Sequence, residues 1–216
     1  MPQLVKGMWF PISDRFMVDE LRADGTYQID NLMAALRHVT NFDCAIDGGA
    51  HIGAWSRVMS AHFARVIAVE PSADTFEALT WNIEQFGCAN VECRNVALGD
   101  ATGHVTMALD PDQAARANTG ARFVEAGGSI PVETIDSWNL PSLGFLKLDV
   151  EGSEPHALRG AVETLKRCRP IVLFESKFLW TRHYGLPKNI VAKFLEGLGY
   201  RMLEQVSRDQ IWGFRR

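Results

Sequence analysis

The sequence lacks any long apolar run. None of its apolar stretches approaches the roughly 20 residues that a membrane-spanning helix needs, and residues 1–16 contain no continuous apolar core like that of a signal peptide. Of the 216 residues, 47% are hydrophobic and 22% are charged, close to the average for a globular protein. We therefore expect a cytoplasmic protein with one large domain and no membrane partner.

Cysteine and excess basic charge are also scarce. The four cysteines form no C-x-x-C pair and the six histidines share no metal-ligand spacing, so we predict reduced thiols and no metal site. The net charge of −4 and the pI of about 5.9 argue against nucleic acid as a partner, because phosphate binding needs a basic surface. Nothing in the sequence indicates an oligomeric state.

From residue 43 onward, short β-rich runs alternate with helical stretches. This pattern is typical of an α/β fold in which a parallel sheet carries helices on both faces. Residues 1–41 are predicted to form lead-in helices that cap a domain made by residues 42–216, because apolar residues between Leu32 and Val39 recur at helical spacing. The predicted strands are Cys44–Asp47, Val66–Glu70, Val91–Asn95, Phe145–Asp149 and Ile171–Phe174. The predicted helices are Ala54–Ala64, Ala73–Phe86, Pro155–Arg167 and Lys188–Leu198.

Two further pairs of strands interrupt or follow this alternation. His104–Leu109 and Ser129–Ile135 read as an inserted β-hairpin joined by a polar loop of residues 110–128, long enough to be functional or disordered. Tyr200–Gln205 and Asp209–Phe214 flank a short turn and predict a C-terminal antiparallel hairpin at the edge of the sheet.

The stretch "IDGGAHIG" joins the first of the parallel strands to a helix. Glycines in such a turn let the backbone approach a ligand, and the N–H groups at the helix start attract an anion. A nucleotide cofactor is therefore expected here. The candidate binding residues of the turn are Asp47, Gly48, Gly49, Ala50, His51 and Gly53.

Two features favour S-adenosylmethionine over a dinucleotide. Ala50 stands at the second glycine position of the G-x-G-x-x-G pattern, and the Asp47 carboxylate would repel a pyrophosphate. S-adenosylmethionine instead carries an ammonium and a sulfonium, which a carboxylate attracts. Glu70 ends the next strand, where an acid accepts hydrogen bonds from a ribose diol in both classes of site.

The chain resembles the FkbM-type family of S-adenosylmethionine-dependent methyltransferases. The resemblance extends from about Tyr27 to Leu198, and it is carried by "IDGGAHIG", "VIAVEPS", "LTWNIE", "NVALGD", "LKLDVEGSEPHALRGA" and "PIVLFE". It implies the class I methyltransferase fold, which is Rossmann-like and has a seven-stranded, mostly parallel sheet.

The resemblance also implies roles for individual residues. Asp47, Gly49 and Gly53 would belong to the cofactor loop, and Glu70 of the "VEP" motif, with Pro71, to the ribose contact. The adenine would lie against Asn95 and Val96, and Tyr27 with Gln28 would close over the cofactor. The family often has Glu at the position of Gln28 and Asn at that of His51.

Candidate catalytic residues lie where parallel strands end. Asp149 ends the fourth predicted strand, beside the expected methyl position. It is a candidate catalytic and cofactor-binding residue that can act as general base, hold the substrate or steady the cofactor. Glu175 faces the same cleft, and the two carboxylates have oxygen ligands suited to a divalent cation but no dedicated ligand cluster. His183 is the second candidate base, since its pKa suits neutral pH. It lies in a polar and aromatic segment, 175–184, that reads as an acceptor wall. Glu154 reads as a structural acid of a first helical turn.

The predicted function is O-methylation of a hydroxyl on a small molecule or glycan by S-adenosylmethionine, and the choice of oxygen rests on the resemblance alone. Three alternatives stay open. A nucleic-acid methyltransferase is disfavoured because "DVEG" replaces the usual N/D-P-P-Y/F motif and no cysteine follows a proline. An NAD-dependent oxidoreductase is disfavoured by Ala50 and Asp47. A non-catalytic cofactor-binding module is the third.

Overall fold

A computed structural model describes residues 2–11, 14, 16–21, 26–109, 122–176, 184–187 and 189–214. Its strands are β1 (Gln3–Val5), β2 (Met8–Phe10), β3 (Cys44–Gly48), β4 (Arg65–Val69), β5 (Val91–Arg94), β6 (Ala97–Leu98), β7 (Gly103–Leu109), β8 (Arg122–Ala126), β9 (Ile130–Glu133), β10 (Phe145–Leu148), β11 (Ile171–Glu175), β12 (Tyr200–Val206) and β13 (Asp209–Phe214). Its helices are α1 (Phe16–Glu20), α2 (Ile29–Leu36), α3 (Ala54–Ser60), α4 (Ala73–Gln85), α5 (Glu154–Arg159), α6 (Val162–Cys168) and α7 (Ile190–Gly197), and a 3-10 turn spans Ile135–Trp138. Within these ranges no helix is long and apolar enough to cross a bilayer.

Seven strands form the central sheet in the order β12-β13-β11-β10-β3-β4-β5. The neighbours from β11 to β5 pair in parallel, and β13 pairs antiparallel with both β11 and β12. The predicted seven-stranded, mostly parallel sheet with a C-terminal hairpin is confirmed. Every residue of β3 and β10 is buried, as expected for central strands covered on both faces.

Helices cover the two faces of this sheet. On one face α2 and α3 pack on Ala45, Phe145, Leu173 and Ile211, and the predicted apolar positions of the lead-in helix are all buried there. On the other face α5, α6 and α7 pack on a larger core that includes Ile46, Leu146 and Phe174. Alternate residues of each strand therefore serve opposite cores.

The helix predicted over Pro155–Arg167 is in fact two helices, α5 and α6. The break falls at Gly160, where an added Cβ would lie 1.9 Å from the carbonyl oxygen of Gly99. Asp136, in the 3-10 turn, then accepts hydrogen bonds from the backbone N–H groups of Glu163 (3.0 Å) and Thr164 (2.8 Å) and caps α6. A long-range cap of this kind leaves no local pattern in the sequence.

The insertion is a four-stranded sheet rather than a hairpin, with the order β6-β9-β7-β8. Strands β7 and β9 are the predicted pair and are antiparallel. The additional strand β8 lies within the predicted polar loop and pairs with β7, and its Phe123 is buried. The prediction missed β8 because only one of its side chains is large and buried.

The N-terminal residues contain a short hairpin, β1–β2, besides helices α1 and α2. The Asn82 side chain of α4 holds it in place by accepting from the Trp9 N–H (2.7 Å) and donating to the Trp9 carbonyl (2.9 Å). The Asn82 side chain thus forms with the backbone of β2 the two hydrogen bonds that a neighbouring strand would otherwise form. The predicted division of the chain at residue 42 stays a prediction.

Candidate active site

The carboxyl ends of β3, β4, β5, β10 and β11 bring most of the predicted site residues to one edge of the sheet. The turn after β3 lies at the centre, with Glu70 and Asn95 on one side and Asp149 and Glu175 on the other. His183, with Lys177 and Trp180 of the same predicted acceptor wall, lies outside the described residues.

The turn that follows β3 has an unusual backbone. Gly49, His51 and Gly53 have φ angles of 74°, 52° and 85°, a region in which L side chains are strained. The N–H groups of Gly49 and Ala50 both donate to the Val69 carbonyl, at 3.0 and 2.9 Å. An added Cβ on Gly49 would lie 2.0 Å from the carbonyl oxygen of Asp149. Glycine at position 49 therefore lets β3 and the loop after β10 lie in contact.

Asp47 lies in a buried ion pair. Its carboxylate is fully buried, with Oδ1 lying 2.9 Å from Nζ of Lys147 and Oδ2 accepting from the Ser56 hydroxyl at 2.6 Å. The carboxylate has no accessible surface in this arrangement, and its predicted role in cofactor binding stays a prediction. The argument that Asp47 repels a pyrophosphate is weakened, because Lys147 neutralises the charge of the Asp47 carboxylate.

The sequence analysis did not include Lys147 among the site residues. A lysine within the otherwise apolar run "FLKL" could have indicated a buried charge with a partner. It stands opposite Asp47 in the register of β3 and β10, and its Nζ also donates to the Gly49 carbonyl at 2.7 Å. Burial alone would lower its pKa, but the charges of Asp47, Asp149 and Asp209 raise the pKa of Lys147 above its ordinary value. The lysine is therefore a cation.

Glu70 joins the two loops beside the turn. Its Oε2 accepts from the His51 N–H at 3.0 Å, and its Oε1 accepts from the Ser72 N–H at 2.9 Å. Burial raises the pKa of Glu70, while these hydrogen bonds and the neighbouring His51 oppose the rise. The Asn95 side chain supports the same loop by donating to the carbonyls of Glu70 (2.8 Å) and Pro71 (3.1 Å). Val96 is buried in the core of the α5–α7 face.

Two polar contacts connect described N-terminal residues to this turn and to the start of α3. His51 Nε2 lies 3.1 Å from Oδ2 of the fully buried Asp14, and the Trp55 indole donates to the Tyr27 carbonyl at 2.8 Å. Gln28, with a φ of 44°, donates to the Tyr27 hydroxyl at 2.8 Å. Tyr27 is therefore held beside the start of α3, and its closure over a cofactor stays a prediction.

Acidic residues cluster in the loop after β10. Asp149 is half-buried and is fixed by its N–H, which donates to the Gly48 carbonyl at 3.0 Å. Glu154 folds back on the loop, where its Oε1 accepts from the N–H groups of Val150 (3.1 Å) and Gly152 (3.3 Å). Burial, with the charge of Asp149, raises the pKa of Glu154 to about 7. No three His, Cys, Asp or Glu side chains of the described residues are grouped as a metal site.

Among the described residues, the side chains of Tyr184 and Arg122 connect strand β8 of the inserted sheet to its surroundings. Tyr184 donates to the Val124 carbonyl (3.1 Å) and accepts from its N–H (2.9 Å). Burial raises the pKa of Tyr184 to about 12, so the hydroxyl keeps the proton that it donates. Arg122 of β8 forms two hydrogen bonds with Asp74, at the start of α4, and also bonds Ser72. Strand β8 therefore extends from Tyr184 to the loop that follows Glu70.

Comparison of the sequence with models of protein families shows which family has this arrangement. Residues 47–202 match the methyltransferase FkbM domain, a range that begins at Asp47 and includes Glu70, Asp149 and Glu175. The chain belongs to the FkbM methyltransferase family. The predicted resemblance is confirmed, and the chain is a methyltransferase.

Individual relatives agree with this assignment. The FkbM-family chain is 26% identical over 188 residues to the hexuronic acid methyltransferase AglP of Haloferax volcanii, covering 84% of this chain and 73% of the relative. It resembles the crystal structure of methyltransferase FkbM from Methylobacillus flagellatus with a TM-score of 0.53 and 18% identity, covering 80% of this chain but 43% of that one. For precorrin-6y C5,15-methyltransferase from Geobacter metallireducens the TM-score is 0.51 and the identity 14%, covering 88% and 90% of the two chains. The two structures confirm the class I methyltransferase fold.

Replacing Glu154 with glutamine is expected to change how stability depends on pH. The pKa of Glu154 is about 7 in the folded chain against an ordinary 4.5, so between these values the folded state binds more protons than the unfolded state. The free energy of unfolding should therefore fall as pH rises through this window, by at most about 1.4 kcal/mol per unit, and level off above it.

The Glu154→Gln variant keeps an oxygen for the two loop N–H groups but has no proton to release. Urea denaturation of both proteins between pH 5 and 8 checks this expectation, and the difference between them isolates Glu154 from Glu70, whose pKa is also raised. Parallel pH profiles for the two proteins would contradict the assignment.

Proposed function

We propose that this FkbM-family chain uses S-adenosylmethionine to methylate a hydroxyl group on a carbohydrate. The observation that carries the proposal is the position of the glycine turn between Glu70 and Asp149 at one edge of the sheet. In this proposal one acid binds the ribose and the other serves the reacting group, at the edge where parallel sheets bind ligands.

The residues present fit the cofactor at its ribose. Each oxygen of Glu70 accepts one backbone N–H, and a carboxylate oxygen can accept a second hydrogen bond. The two hydroxyls of a ribose are suitable donors. The Asn95 side chain donates to the carbonyls of Glu70 and Pro71 and so stabilises the backbone of the loop that carries the Glu70 carboxylate.

The charge of the edge also favours a cationic ligand. In the register of β11 and β13, Glu175 lies opposite Asp209, and both share a sheet face with Lys147. Lys147 interacts with Asp149 and Asp209 besides its partner Asp47. Among the described residues of this edge, carboxylates thus outnumber the lysine. This supports S-adenosylmethionine, which is cationic at its reacting end, over a pyrophosphate-bearing dinucleotide.

When bound, S-adenosylmethionine supplies an electrophilic methyl group. The chain must hold an acceptor hydroxyl in line with it and remove the hydroxyl proton. In the proposed reaction Asp149 accepts that proton at a carboxylate oxygen; its position at the end of β10, with its N–H bonded to the Gly48 carbonyl, supports this role. Orientation supplies most of the acceleration in such a reaction, and a general base adds about 10²–10⁴-fold. Glu175 is the neighbouring candidate for holding the acceptor.

The acceptor class is inferred from a relative. AglP is a hexuronic acid methyltransferase, and we infer that the acceptor here is a sugar hydroxyl held between β8, Tyr184 and the loop after β10. The alternatives are a nucleic-acid methyltransferase, an NAD-dependent oxidoreductase and a non-catalytic cofactor-binding module. They differ in the cofactor that they bind or in the acceptor that they methylate, so binding and acceptor measurements distinguish them.

Calorimetric titration with S-adenosylmethionine, S-adenosylhomocysteine and NAD tests the cofactor. Micromolar binding of the first two, with none of NAD, is expected. Binding of NAD alone would replace the proposal with an oxidoreductase, and binding of none by the folded protein would refute cofactor use. A subsequent screen with uronic acid glycans, neutral glycans and RNA as acceptors tests the substrate class, and methylation of RNA alone would overturn it.

Glu70→Ala is expected to weaken binding of S-adenosylhomocysteine by about tenfold to a hundredfold, because hydrogen bonds to a charged group contribute about 1.5–3 kcal/mol. Calorimetry measures the change, with Glu77→Ala on an exposed part of α4 as the control. An unchanged dissociation constant in Glu70→Ala would remove the ribose assignment.

A further inference from the structure

Lys147 and Asp47 form a charged pair in the middle of an apolar sheet. They are in register on β10 and β3, with exposures of 7% and 0%, and Nζ lies 2.9 Å from Oδ1. The residues before them on the same face, Phe145 and Ala45, belong to the α2–α3 core. Two charges have therefore been removed from water where the preceding layer of the sheet is entirely apolar.

Fold stability does not explain such a pair. The loss of hydration of two buried ions commonly equals or exceeds their attraction, and well-packed apolar residues often replace buried pairs without loss of stability. The pair therefore points to a positioning task.

The contacts of Lys147 indicate what is positioned. Its Nζ donates to the Gly49 carbonyl at 2.7 Å, which fixes the peptide group between Gly49 and Ala50. The N–H groups of Gly49 and Ala50 are held by Val69, and the N–H of His51 is held by Glu70. Lys147 thus holds the turn from the side of β10, while Val69 of β4 and the following Glu70 hold it from the other side.

We propose that Lys147 is a positioning residue that holds the glycine turn in its cofactor-binding shape through the Gly49 carbonyl. Asp47 and Ser56 keep the ammonium in place, since Asp47 pairs with Lys147 and accepts from the Ser56 hydroxyl at 2.6 Å. The proposal rests on the proposed use of S-adenosylmethionine for its link to binding, but the shape of the turn is a property of the chain itself.

Two variants separate positioning from charge balance. Lys147→Met leaves Asp47 buried with no cation, so both folding and binding are expected to suffer. The double variant Asp47→Asn with Lys147→Met removes both charges, and the amide oxygen of the introduced asparagine can still accept from Ser56. Its melting temperature is expected to recover, whereas the Gly49 carbonyl has lost its donor. Lys166→Met removes an exposed lysine that pairs with Glu163 and is the control.

Amide hydrogen exchange of residues 48–53 is measured in the ligand-free proteins, and calorimetry measures binding of S-adenosylhomocysteine. The double variant should exchange faster across the turn than wild type and bind about tenfold more weakly, which corresponds to about 1.4 kcal/mol. Wild-type exchange in the folded double variant would overturn the inference. Wild-type protein that does not bind S-adenosylhomocysteine would instead refute the proposed function, while the exchange result would still decide the role of Lys147.

Discussion

Gly49→Ala is expected to reduce the free energy of unfolding by about 3 kcal/mol or more. The φ angle of 74° alone strains an alanine, and the added Cβ would lie 2.0 Å from the carbonyl oxygen and 2.9 Å from the carbonyl carbon of Asp149. Both atoms belong to the backbone, so no side-chain rotation relieves the clash. Moving them would break the hydrogen bond from the Asp149 N–H to Gly48.

Gly87→Ala is the matched control for this substitution. Gly87 has a φ of 64°, but an added Cβ would meet nothing within 4 Å. Only the backbone strain of about 1–2 kcal/mol is expected there. Urea denaturation of both variants measures the two losses, and losses of equal size would show that the contact between Gly49 and Asp149 is not the limiting feature.

Asp149→Asn is expected to reduce kcat by about 10²–10⁴-fold while binding of S-adenosylhomocysteine changes little. Asparagine has nearly the same shape and keeps the backbone N–H bonded to Gly48, so the turn should be undisturbed. It cannot take the proton of an acceptor hydroxyl at neutral pH, which is the task proposed for Asp149.

Turnover is measured on the glycan that the wild-type protein methylates in the acceptor screen, and binding is measured by calorimetry. Glu163→Gln, on the exposed side of α6, is the control for the loss of a carboxylate. Full turnover in Asp149→Asn would exclude Asp149 as the base. A loss of binding as large as the loss of kcat would assign it to holding the cofactor instead.

The central sheet was predictable because each of its strands can be recognised from a few consecutive residues. Most of the parallel strands are short, mainly apolar runs; β3 leads into the glycine turn, and β4 and β10 lead directly into Glu70 and Asp149. Strand β8 and the hairpin β1–β2 were not predictable, because they are held by residues distant in sequence: Tyr184 and Asp74 for β8, and Asn82 for Trp9.

The positions of the candidate site residues in the fold were predictable, but their contacts were not. Glu70 and Asp149 lie at the expected edge of the sheet, since the order of motifs along the chain determines it. Asp47 was expected to attract a ligand, which stays a prediction, but its pairing with Lys147 was not foreseen. The pairing depends on the register between β3 and β10, whose residues are 100 positions apart, and no spacing along the chain reveals that register.

The contacts of the N-terminal residues have a consequence for protein engineering. A shortened protein starting at residue 42 would keep every strand of the central sheet, and a designer guided by the sheet alone would choose that boundary. It would also remove Asp14 from His51 and the Tyr27 carbonyl from Trp55, and it would expose Ile52 and the neighbouring face of α4 to water. Trimming this end of the chain therefore acts on the glycine turn as directly as a substitution within it.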